Sequence, residues 1–187
     1  MSQLFEMDNY VIRTKLLRIF GGAFYFEDLE RNVVAYSKQK RFKLKEDIVL
    51  YTDESCTVPL VQIKARSVFD LATTYDIFNP QDGTNLGSAK RQALKSILKD
   101  SWVINDPSGN PYASFVEDSI AILRRFLPLI PAKYHFEVAG QPEILMQQRF
   151  NPLIKRTQVS IPPGHTLDRR VIAAVALLSS AIEGRQG

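Results

Sequence analysis

The stretch VIAAVALLSSAI, from Val171 to Ile182, is apolar at every position except Ser179 and Ser180. An ordinary surface helix would break such a run with charge every three or four residues. A helix that is apolar all round is buried on every side or lies in a membrane. Residues 171–182 would rise only about 18 Å, against roughly 30 Å of hydrocarbon in a bilayer. The segment therefore predicts a core helix. Thr166 or Asp168 can cap its start, and Gly184 suits its end. Its many alanines suit close approach by surrounding strands. A sheet wrapped around a central helix accounts for both features.

Outward from this helix, the chain reads mostly as strands. Tyr10 to Phe20 alternates imperfectly and ends at Gly21-Gly22, and Ala23 to Phe26 is aromatic. Val33 to Lys40 and Phe42 to Tyr51 follow. From Leu60 to Asp70, Val61, Ile63, Ala65 and Ser67 share one face while Gln62, Lys64 and Arg66 share the other. That is the period of a half-buried strand. Thr73 to Phe78, Trp102 to Ile104, Tyr112 to Val116, Tyr134 to Val138, Ile144 to Phe150 and Lys155 to Ile161 complete the strand set. The turn signals are Asn79-Pro80-Gln81-Asp82-Gly83, Asn105 to Asn110, and Gly140-Gln141-Pro142. Glu117 to Leu127 reads as a second helix, with Ile120, Leu123, Phe126 and Leu127 on one face and Pro128 and Pro131 ending it. Ala89 to Lys99 is ambiguous, because Arg91, Lys95 and Lys99 repeat at helical spacing.

The 187 residues read as one domain spanning 1–187, with 45% hydrophobic and 24% charged residues. Cys56 is the single cysteine, so no disulfide within the chain can form. MSQLFEMDNY lacks the basic and apolar regions of a secretion signal, and no stretch is long enough to span a membrane as a helix. These features fit a cytoplasmic protein. A formal net charge of +4 permits contact with anionic lipid or nucleic acid without demanding it.

Four pieces together carry a family resemblance: VVAYSKQKRFKLKEDIVLYTDES at 33–55, IKARSVFDLATTYDI at 63–77, NLGSAKRQALKSILKDSWVINDPSG at 85–109, and LDRRVIAAVALLSSAIEGRQ at 167–186. In this order they resemble the tubby-like superfamily, nearest its LURP-one-related branch, which neighbours the phospholipid scramblases. The resemblance implies a β fold with a buried helix: a closed antiparallel barrel of roughly twelve strands around the apolar C-terminal helix. It also implies that Ala89 to Lys99 is partly strand. The acidic calcium-binding segment expected of scramblases has no clear match, which counts against scrambling.

The densest charge cluster is Lys38, Lys40, Arg41, Lys43 and Lys45. In an extended chain Arg41, Lys43 and Lys45 point away from the Phe42 side. Lys38 and Lys40 fall on that side unless a bend turns them out. In tubby domains a similar basic stretch binds phosphoinositide head groups, and the resemblance places Lys38, Lys40 and Arg41 nearest to it. Clustered ammonium and guanidinium groups attract multivalent phosphate, although lysines on an edge strand also serve simply to keep it soluble. Lys90 and Arg91 belong to a second basic set, with Lys95 and Lys99, that could border the same site or a nucleic-acid surface, although an ordinary charged face is the favoured reading. Arg169 and Arg170 open the last helix, where the dipole disfavours cations; acidic partners, or an anion near the barrel mouth, would offset this, and acidic partners are the favoured reading.

Enzyme signatures are nearly absent. His135 and His165 have no metal-ligand spacing, and no phosphate-binding loop, nucleophile elbow or dinucleotide motif occurs. Cys56 reads as a small apolar residue rather than a reactive thiol. The expectation is a non-enzymatic binding module, without cofactor or metal, for phosphoinositide or other anionic phosphate groups, peripheral at a membrane surface. The alternatives are a protein-interaction scaffold and, less favoured, a nucleic-acid binder.

Overall fold

The computed structural model describes residues 2–17, 21–40, 47–67, 73–92, 101–118, 131–149 and 154–183. After a short 3₁₀ turn at Gln3–Glu6 come twelve strands. They are β1 (Asn9–Leu17), β2 (Gly21–Glu27), β3 (Val33–Lys40), β4 (Asp47–Tyr51), β5 (Pro59–Ala65) and β6 (Thr74–Phe78), then β7 (Asn85–Arg91), β8 (Ser101–Asn105), β9 (Pro111–Glu117), β10 (Lys133–Val138), β11 (Ile144–Arg149) and β12 (Lys155–Ser160). The helix α1 (Arg169–Glu183) follows. Each strand pairs with its chain neighbours, and β12 closes the barrel on β1, from Asn9 opposite Ser160 to Thr14 opposite Lys155. Every pairing is antiparallel. Among the described residues every strand thus has a neighbouring strand on both sides.

The period-2 pattern decides which residues face inward. Tyr10 and Ile12 of β1, Phe24 and Phe26 of β2, Ile48 and Leu50 of β4, and Val61 and Ile63 of β5 join one core. Trp102, Phe115 and Phe136 join it from the far wall. Val171 to Leu178 are buried at every position, as are Ser179 to Ala181. The expected barrel around an apolar helix is the observed fold. Asp168 caps the helix, accepting from the Arg170 N–H at 2.8 Å. Arg170 pairs with Asp168 and Arg169 with Asp8, both at 2.6 Å, so the two arginines have the acidic partners that their place demanded.

Several sequence expectations shift at the element ends. Phe42 to Lys45, Arg41 and Lys95 to Lys99 lie outside the described residues, as does most of the helix read over 117–127. At its start, Glu117 is the last residue of β9 and not helical. The fifth strand ends at Ala65, short of the expected Asp70. Ala89 to Arg91 are strand, as the resemblance implied.

Gly87 matters to closure. It has φ +131°, and an added Cβ would sit 2.4 Å from the Asn105 carbonyl oxygen. Only glycine lets β7 approach β8 here, next to the register shift between Ile77 and Phe78. Among the described residues no helix is long and apolar enough to cross a membrane.

Candidate anion-binding site

The outer wall of the barrel is built by the residues that alternate with the core. In β3, Ala35 and Ser37 take inner places and are fully buried. The Ser37 hydroxyl is satisfied there by donating to the Val49 carbonyl at 2.8 Å. Lys38 is therefore exposed on the outer wall. Across the register it faces Ala23 of β2, which faces Lys15 of β1. Ala23 is buried while Lys15 and Lys38 are both exposed, so the two ammonium groups flank a small residue. Neither has a carboxylate partner among the described residues.

One row nearer the start of β1 runs a longer series. The registers align Arg149, Arg156, Arg13, Tyr25, Tyr36 and Tyr51 across six adjacent strands, from β11 through β12 to β4. Directly opposed side chains have Cβ atoms about 4.5–5.5 Å apart. Glu27 lies against this row. One of its oxygens accepts from Arg13 Nε at 2.5 Å and the other from an Arg156 amino group at 3.0 Å. Its side chain is 4% exposed, against 23% for each arginine. The Arg13 guanidinium also lies 4.0 Å from the centre of the Tyr25 ring. Tyr25 and Tyr36 pack at 5.1 Å, and Cys56 packs against them with Ala23. Burial, then the Glu54 carboxylate, raises the Tyr25 hydroxyl above its ordinary range. Cys56 thus has the apolar packing role expected of it.

The structure divides the residues singled out in the sequence. Lys38 joins the outer wall of β1–β3. Lys40 closes β3 opposite Gly21. Arg41, Lys43 and Lys45 lie outside the described residues. Lys90 is exposed on β7, in register with Thr74 and Val103, and the half-buried Arg91 faces Trp102 in register. At about 4.8 Å per strand, β7 lies roughly 19 Å along the wall from β3. Lys90 and Arg91 therefore do not border the Lys38 face. The residues that do, Arg13, Lys15 and Arg156, were missed. Outward parity in β1 was the available signal for Arg13 and Lys15.

The histidines are separately placed. His135 Nδ1 lies 2.8 Å from Asp118 and Nε2 lies 3.0 Å from Glu137. Partial burial opposes its charge, but the bonds to Asp118 and Glu137 outweigh it and raise its pKa. His165 accepts from the Leu167 N–H at 3.1 Å, and burial, then Arg169, lowers its pKa. Among the described residues no group of three His, Cys, Asp or Glu side chains could hold a metal ion.

No known protein family matches the sequence of the chain. No curated protein matches it either. Among solved structures, the X-ray structure of the Arabidopsis thaliana protein AT5G01750 is similar, with a TM-score of 0.53 at 15% identity. The likeness covers 92% of this chain and 90% of that one, so the two share a fold over nearly their whole length.

Proposed function

We propose that this chain is a tubby-like domain of the LURP-one-related kind and acts as a non-enzymatic binding module. Its basic outer wall docks phosphoinositide or other phosphate-bearing head groups, at a membrane surface facing the cytoplasm. The barrel around an apolar helix supports the family reading. One observation carries the functional reading: Lys15 and Lys38 flank Ala23 on the outer wall with no carboxylate partner among the described residues. Two ammonium groups two strands apart on the same face, each without a carboxylate partner among the described residues, suit an anion of more than one charge. Each lysine near an anionic membrane contributes about 1 kcal/mol, and salt screens that attraction.

Co-sedimentation with phosphatidylcholine vesicles, with and without phosphoinositide, tests this. The chain should sediment only with the phosphoinositide vesicles, and less at physiological than at low salt. The Lys15→Ala, Lys38→Ala variant should lose about tenfold or more in affinity, as two contributions of that size imply. Lys90→Ala should bind as the wild type does. Undiminished binding by the double variant would remove the proposal. Tighter binding to DNA or RNA than to any vesicle would favour the nucleic-acid alternative.

A further inference from the structure

The three arginines of the long row are a second feature, on different strands from Lys38. Arg149 of β11 is in register with Arg156 of β12, which is in register with Arg13 of β1. Like charges directly opposed across strands repel. Among the described residues Glu27 is the carboxylate bonded to these arginines, and it engages Arg13 and Arg156, while Glu54 lies at the tyrosine end of the row, 3.4 Å from the Tyr25 hydroxyl. Arg149 donates through Nε and an amino group to the neutral Gln158 side chain, at 3.1 Å for Nε. The three arginines and Glu27 together thus keep two net positive charges. Glu27 occupies one N–H of each of its arginines, and the other N–H groups of Arg13 and Arg156 have no acceptor among the described residues. Held this way, the guanidinium groups are oriented before any ligand arrives. A planar fork matches the oxygens of a phosphate better than an ammonium does.

We propose that Arg149, Arg156 and Arg13 form a phosphomonoester-dianion site on the β11–β12–β1 wall, with Glu27 as its positioning residue. A dianion would neutralise the two charges that Glu27 leaves over. The site shares the outer wall with Lys15 and Lys38 and deepens the docking reading above, but its arginines are tested without changing either lysine. A phosphomonoester reaches it either as a soluble molecule or as the head group of a lipid, and the two sources are separable.

Isothermal titration with glycerol phosphate and co-sedimentation with phosphatidic acid vesicles test the proposal on the whole chain. Arg149 is exposed, so Arg149→Ala should leave folding intact, as a thermal melt would verify. The wild type should bind at least one probe saturably, and Arg149→Ala should weaken that binding fivefold or more. Arg149→Lys should recover only part of the loss, because it restores charge without the fork. Lys38→Ala should retain glycerol phosphate binding. Whichever probe shows the Arg149-dependent loss identifies the source. If neither probe binds, or if Arg149→Ala binds both as the wild type does, the site is overturned.

Discussion

β1 is a single nine-residue strand whose two faces obey different rules. Tyr10, Ile12 and Thr14 turn inward and are buried against the core, whereas Arg13 and Lys15 turn outward among ions and tyrosines. The inner face is held by burial, which any apolar neighbour of suitable size supplies. The outer face is held by specific partners far apart in the chain, such as Glu27 and Arg156, 129 residues away. The two faces should therefore fail in different ways.

The sharpest break is Leu178→Asp. Leu178 is fully buried inside the barrel, with the wall all round it. An unpaired carboxylate there costs roughly 3–5 kcal/mol, comparable with the whole stability of many domains. The variant should not give a cooperative thermal transition by circular dichroism. Lys15→Asp on the outer face should stay within about 0.5 kcal/mol of the wild type, as isolated surface substitutions do. A soluble, cooperatively folded Leu178→Asp chain would erase the distinction between the faces.

Glu27→Gln sharpens the comparison from the other side. Glu27 is as buried as a core residue yet belongs to the ionic wall. The substitution keeps its volume and removes the charge that Arg13 and Arg156 share. Removing one partner of a fully buried pair costs about 3–5 kcal/mol. The two arginines are partly solvated here, so about 2 kcal/mol is expected from the urea midpoint at neutral pH. An unchanged midpoint would mean that the wall, like the interior, is held by packing alone.

The same division explains what the sequence revealed. The helix at 171–182 announced its burial because no charge interrupts it, and the alternation of Val61, Ile63 and Ala65 announced a half-buried strand. Both signals are local. Lys38 stood out because lysines and arginines crowd around it in sequence, but its outward orientation depends on which parity faces the helix. Arg13, Arg149 and Arg156 never adjoin one another along the chain. Only the registers of β11, β12 and β1 bring them together, and barrel closure sets the last of these. Glu27 gave no sign of itself in the sequence, and its burial follows from two arginines contributed by other strands.

His135 offers the smallest and most selective test, because it sits on the outer wall between the Asp118 and Glu137 carboxylates. Burial disfavours its protonation, but Asp118 and Glu137 accept from both ring nitrogens and raise its folded pKa. A raised folded pKa adds stability that is complete below the unfolded value of about 6.5 and is lost as pH rises through the folded pKa. The groups facing it are Asp118 from the end of β9, Glu137 on its own strand and Glu143 from the β10–β11 turn. His165 works in the opposite sense, since burial, then Arg169, lowers its pKa and makes acid destabilising. Both the wild type and His135→Gln retain His165, so their difference isolates His135. The wild type should be more stable than His135→Gln at mildly acidic pH, by less than about 1 kcal/mol given partial exposure. The gap should shrink as pH rises. A ring-proton NMR titration should place the His135 midpoint above the ordinary histidine value and that of His165 below it. If the His135 midpoint fell below that value, burial rather than charge would govern this part of the wall, and the contrast between the two faces would fail where it should be clearest.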